Sequence, residues 1–431
     1  KIKEEDPEGV TIIWMMGCGA PPVTFEGGTP AWVQPGGKMD GIDAAYLPSD
    51  FPQAQDLAVL FPLRTEVGIP AKTPTASGRA LLSRGWLQQV SDAYLDTEVS
   101  DALERENFYS EWRLVALRFV PCGPLGIRPD QQPSKLCWPQ VRLVWQPVVR
   151  NIQVTWMVRP FYADDRAIHA LYHVIPEGSD AAEILGTLRE HLGQGGSAHD
   201  LDAQSRERFM MGRNEAIAYL MSRVAQLRGV GVTGTDLEDL DIRAELWQFA
   251  DTLEGSFTAA LANLLGEVCE PERLFELTSF SLPEGRDPAS IDHWSFVAFD
   301  GIGGQIVQKA LTVVGADSGV VIGHAGMVEA VTQTNPDEDL LVGLDDPQHA
   351  AELEASAIFS TEDIDRLADR ISDPKRTLVP NTSCASCHRL NELRFDFHNL
   401  SHLEDRELTI SPRVVRDVEH ELAWLREALG H

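Results

Sequence analysis

The chain of 431 residues is 43% hydrophobic and 24% charged, which excludes an intrinsically disordered protein. Asp and Glu number 66 against 36 Lys and Arg, a formal net charge of -30, so nucleic acid and anionic membrane surfaces would repel it. No apolar run reaches the roughly 18 residues of a transmembrane helix, and the length fits two to three domains of about 150 residues.

Residues 1–58, rich in Gly and Pro, predict an extended, loop-rich N-terminal segment. The opening KIKEEDPEG is acidic, the reverse of a secretory n-region, so the expectation is a removed signal or a start inside a precursor. The stretch VTIIWMMGC ends like a bacterial lipoprotein cleavage site, with Cys18 as the residue that would carry a lipid anchor. Its apolar part is short and acidic residues precede it, so a strand followed by a loop is preferred. Residues 59–180 predict a β-rich domain. EWRLVALRFVP, QVRLVWQPVV, NIQVTWMVRPF and IHALYHVI are β-branched and aromatic with partial alternation, the pattern of an antiparallel, sandwich-like arrangement.

Residues 181–349 predict helical and then β segments packed on that domain. The helical periodicity lies in AAEILGTLREHL, SRERFMMGRNEAIAYLMSRVAQL and LDIRAELWQFADTLEGSFTAALANLLGEV, and strands return at HWSFVAFD, QIVQKALTVV and SGVVIG. Residues 350–431 turn helical again. The last helix has Ser411 as N-cap, Pro412 at its first position and an apolar stripe of Val414, Val418, Leu422, Leu425 and Leu429. The fold class expected is α+β, ending in a small α-helical module.

Six cysteines stand at 18, 122, 137, 269, 384 and 387. Cys384 and Cys387 belong to Cys384-Ala385-Ser386-Cys387-His388, a C-x-x-C-H pentapeptide. Two thiols at this spacing can add across the vinyl groups of haem, with the following imidazole beneath the iron. Zinc is the competitor, since His398 and His402 follow downstream. On these residues the last 50 to 80 positions resemble the c-type cytochromes. The resemblance implies one covalent haem c held by thioethers at Cys384 and Cys387, axial ligation by His388, and maturation outside the cytoplasm. Cys122 and Cys137, which bracket a Pro- and Gly-containing loop, are the expected disulfide, with Cys18 and Cys269 as a second candidate pair.

A His/Met cytochrome places its Met well downstream of the attachment site, but no Met follows Met327. The preferred sixth ligand is therefore His398, with Phe395 and Phe397 packing the haem edge. His402 is the alternative, then His324 or Met327. Arg389, Arg394 and Arg413 are candidates for the propionates, none preferred over the others.

DGIGGQ (300–305) lacks both the dinucleotide and the P-loop spacing and predicts a hairpin turn. DLEDLD and NPDEDLL lack the twelve-residue calcium-loop pattern. His169 and His173 stand four apart in DDRAIHALYH, and a metal there would need further ligands. G-x-S-x-G and H-E-x-x-H are absent.

The leading expectation is a periplasmic or extracellular mono-haem electron carrier, with cell-surface association as a variant, serving a redox partner protein or identical subunits. The rivals are a haem oxidoreductase or peroxidase-like enzyme with its substrate site in the large domain, and a surface or filament assembly protein that uses haem for conduction.

Overall fold

The computed structural model describes residues 52–62, 68–94, 108–125, 137–150, 161–163, 167–193, 201–231, 243, 245–246, 256–281, 294–309, 320–322, 328–330, 418–419 and 421–426. Ten strands are described: β1 (Ala58–Leu60), β2 (Trp112–Pro124), β3 (Cys137–Arg150), β4 (Phe161–Ala163), β5 (Ala167–His173), β6 (Leu274–Ser281), β7 (Trp294–Ile302), β8 (Gln305–Lys309), β9 (Val320–Ile322) and β10 (Val328–Ala330). They join one sheet in the order β1-β2-β3-β5-β6-β7-β10-β9, with β4 beside β3 and β8 beside β7. Every pairing is antiparallel. Of the strands expected to form a sandwich-like region, EWRLVALRFVP, QVRLVWQPVV and IHALYHVI lie in this single sheet, while residues 151–160 of NIQVTWMVRPF lie outside the described residues. The second layer is helical, and the class is α+β.

Register explains why the strands join in this way. Leu117, Leu143, Ala170, Leu277 and Phe299 are successive cross-strand partners from β2 to β7, and all five are buried. Phe119, Val141, Tyr172 and Leu274 form the neighbouring apolar row. A one-residue slip would exchange these rows for their polar neighbours, so burial of one face fixes the pairing. The opposite face carries the row Arg118, Arg142, Leu171, Glu276 and Asp300. Between β7 and β8 the chain turns on Gly303 and Gly304, with φ of 58° and 82°. Two consecutive left-handed residues are what a two-residue hairpin matching the strand twist requires, and glycine adopts them without penalty.

The helices are α1 (Ala54–Leu57), α2 (Arg84–Ala93), α3 (Ala181–Gly193), α4 (Ala203–Arg228) and α5 (Ser256–Val268). Helix α2 is capped by the Ser83 hydroxyl, which accepts from the Trp86 N–H at 3.0 Å, and Asp202 caps α4 by accepting from the Ser205 N–H at 2.8 Å. Trp86, Leu87 and Val90 of α2, Ile217, Leu220 and Val224 of α4, and Leu261, Leu265 and Val268 of α5 share one core with the apolar rows. A second cluster forms around Trp138, Ile184, Leu188 and Phe209, where α3 and α4 meet the start of β3. Gly212 permits that approach: a Cβ there would lie 2.7 Å from Ile184 Cδ1 and 3.3 Å from the Trp138 ring.

An ion-pair network ties α1 to the far end of α4. Asp56, whose side chain is 1% exposed, pairs with Arg228 and with Arg243 at 3.4 Å, and Arg243 also donates to Glu245 at 3.1 Å. The Arg243 guanidinium lies 4.4 Å above the centre of the Phe257 ring. Buried charges are tolerated only when their partners are in place, and here two cations face two carboxylates.

Candidate functional site

The attachment peptide with Cys384, Cys387 and His388 lies outside the described residues, as do His398, His402, Phe395 and Phe397. The same holds for His324, Met327, Arg389, Arg394, Arg413 and Cys18. Downstream of them, residues 418–419 and 421–426 are helical. Val418, Leu422 and Leu425, the part of the expected apolar stripe that is described, are buried in the main core with the strands of the sheet. Glu421, on the same helix, accepts from Arg118 of β2 at 2.7 Å, with both side chains about 15% exposed. The described residues 418–419 and 421–426 are thus fastened to the sheet by apolar burial and an ion pair.

Cys122 and Cys137 are bonded across the β2–β3 pair, their Cα atoms 5.0 Å apart. The ladder shifts register between Val120 and Gly123 and resumes with Gly123 opposite Trp138 and Pro124 opposite Cys137, so the bulge brings Cys122 alongside its partner. Cys269 is a free thiol, buried at the C-terminal end of α5. Burial pushes its pKa well above the ordinary thiol value, with Arg273 opposing and Glu270 adding to the rise.

His169 and His173 both lie on β5 and face the same side of it. At about 3.3 Å of rise per residue they are about 13 Å apart along the strand, too far to share a metal ion. Among the described residues no group of three or more His, Cys, Asp or Glu side chains is placed to hold one.

What surrounds His173 is instead a charged and aromatic cluster. Its ring stacks on Phe275, at 4.0 Å between centroids and 5° between planes. Arg189 of α3 donates to the Phe275 and Gly301 carbonyls at 3.1 and 3.4 Å, joining α3 to β6 and β7. Burial, and then the Arg189 guanidinium, push the His173 imidazole well below its ordinary value, and its Nε2 is buried with no hydrogen-bond partner. Close by, Lys309 pairs with Glu276 and, at 3.1 Å, with Asp300. Burial works to lower the Lys309 ammonium, but the two carboxylates outweigh it and hold its pKa above the ordinary value. An ammonium clamped in that way is no nucleophile at neutral pH. The buried His173 imidazole stays neutral at pH 7.

Several of these residues escape a reading of the sequence. Strand β6, LFELTSFS, breaks hydrophobic alternation because its second face is buried yet polar, with Glu276 and Thr278 at 6% and 0% exposure. Arg189 sits in a helix of ordinary amphipathic pattern, and its capping of carbonyls from two distant strands leaves no local trace. No protein-family model matches the chain, and neither a curated protein nor a solved structure shows detectable similarity to it.

Proposed function

We propose that the protein is an extracytoplasmic c-type cytochrome that transfers electrons through one covalently bound haem c. The observation that carries this reading is the donor set of Cys384, Cys387 and His388, two thiols and an imidazole at the spacing that haem attachment demands. Haem supplies a one-electron couple. Cys384 and Cys387 would fix the macrocycle and His388 and His398 would ligate the iron, with Phe395 and Phe397 excluding water from the edge. Ligation by two imidazoles leaves no open position for substrate and sets a lower potential than a thioether ligand would. Transfer is then outer-sphere, to a redox partner protein or an identical subunit.

Two structural observations support the reading without carrying it. The Cys122–Cys137 bridge belongs to an oxidising compartment, where haem attachment also occurs. The helical residues 418–419 and 421–426, anchored by Leu425 and Glu421, are packed on the sheet downstream of the C-x-x-C-H peptide and would hold a haem module beside it. A second reading, a haem oxidoreductase with a substrate site in the large domain, is favoured by the unpartnered His173 imidazole beside Arg189, Glu276 and Lys309.

Haem staining after denaturing electrophoresis tests the proposal. Colour should remain with the chain, the reduced pyridine derivative should give a thioether-type spectrum, and the double substitution Cys384→Ala with Cys387→Ala should abolish both. A stain-negative protein carrying zinc overturns it. Ready carbon monoxide binding by the unmutated protein would transfer the assignment to the oxidoreductase reading.

A further inference from the structure

Helix α4 carries a charge that no carboxylate among the described residues neutralises. Arg213 is 2% exposed and Asn214 3%. The Arg213 guanidinium donates only to the Asn214 side-chain oxygen, through Nε at 3.4 Å and Nη2 at 3.3 Å, both at the long limit of a hydrogen bond. Its Nη1 and the Asn214 Nδ2 are buried with no acceptor. The ring of Phe209, one turn earlier, lies 5.9 Å beneath the guanidinium and gives a weak cation–π contact in place of a counter-ion. Burial alone, with no neighbouring carboxylate, pushes the Arg213 pKa down to about 10.

The other buried arginine, Arg243, shows the contrast. It is equally inaccessible, yet Asp56 and Glu245 both face it. Buried charges without a partner are strongly disfavoured, and clusters made only of donors are disfavoured for the same reason. At Arg213 and Asn214 the N–H groups outnumber the acceptors and the net charge is positive. The missing partner is therefore an acceptor and an anion. A guanidinium fork with an adjacent primary amide matches the two oxygens of a planar carboxylate, the smaller anion to enclose at a site 2–3% exposed.

We propose that Arg213 and Asn214 form a buried binding site for a small carboxylate anion, enclosed against Phe209 on α4. The proposal stands apart from the haem, because neither residue belongs to the module that would carry it.

The test is thermal unfolding of the full chain in sodium acetate against sodium chloride at matched pH and ionic strength. Acetate should raise the midpoint by about 2–4 °C with saturation, as a ligand of the folded state does. Asn214→Asp places a carboxylate beside Arg213 within the chain, so it should raise the midpoint in chloride and abolish the response to acetate. Arg213→Met should abolish the response as well. If Arg213→Met does not fold, Asn214→Asp decides alone. A wild-type midpoint indifferent to acetate, together with an Asn214→Asp variant no more stable than wild type, overturns the proposal and assigns the donors to trapped water. A response to phosphate but not to acetate overturns the carboxylate assignment.

Discussion

His173 on β5 lies flat against Phe275 on β6, and burial there keeps the imidazole neutral. The folded-state pKa is depressed, so between that value and the unfolded value of about 6.5 the unfolded chain binds the extra proton. Stability from this site is complete above about pH 6.5 and is lost as pH falls toward the folded value, by at most about 1.4 kcal/mol per pH unit. Urea unfolding at pH 7 and pH 5 should show the loss, and His173→Gln should reduce it. An unchanged pH slope in the variant would assign the loss to the carboxylates.

Asp56→Ala should destabilise by about 3–5 kcal/mol, because it strands Arg243 in the core without a full set of partners. Glu272→Ala is the control. Glu272 pairs with Arg79 where both side chains are about half exposed, and the change should stay below about 1 kcal/mol. Denaturant midpoints at constant slope separate the two cases. Equal losses would mean that the buried network contributes no more than the surface pair.

Replacing both Cys122 and Cys137 by alanine should lower stability by about 3 kcal/mol, the loop-closure term for a separation of 15 residues. Unreduced peptide mapping should find the two peptides joined. Cys269 should resist alkylation in the folded protein and react after unfolding, since its thiol is buried and its pKa raised. Modification of Cys269 at a free-thiol rate under native conditions would contradict its enclosure by α5.

Leu425→Ala should cost about 2–5 kcal/mol, as truncation of a fully buried leucine does. The reduced protein's haem spectrum should stay as it is in a population still folded. If the variant is as stable as wild type, the helix over 418–426 is not part of the core.

His398→Ala should convert the ferric haem to high spin and create carbon monoxide binding, while His402→Ala should do neither. An unchanged spectrum in His398→Ala makes His402, His324 and Met327 the next candidates to substitute.

The strands and helices with strong periodicity are those a reader of the sequence can place. β2, β3 and β5 fall on EWRLVALRFVP, QVRLVWQPVV and IHALYHVI, and α3 and α4 on their amphipathic runs. The DGIGGQ hairpin is legible too, because only glycine pairs suit its turn. Helix α2 is harder to find. Its apolar face is reduced to Trp86, Leu87 and Val90, and its start is marked by a single serine. Strand β6 is hidden by Glu276 and Thr278, which are polar because the second face of the sheet is enclosed as well. Joining of all strands in one sheet could not be read from alternation, which tells inward from outward but not which strand lies next. The Arg213–Asn214 cluster escapes for a related reason: an arginine in a helix looks solvated until the tertiary packing removes the water.

The mount formed by Val418, Leu422, Leu425 and Glu421 sets an order of events during biosynthesis. These residues are made after every strand of the sheet, yet they fill the same core as Leu117 and Phe299. The core formed by the described strands and helices therefore lacks these side chains until residues 418–426 have been made. Contacts of such long sequence separation also form slowly. On the proposed function, haem attachment at the C-x-x-C-H peptide, which precedes residues 418–426 in the chain, would have its opportunity before those residues pack into the core.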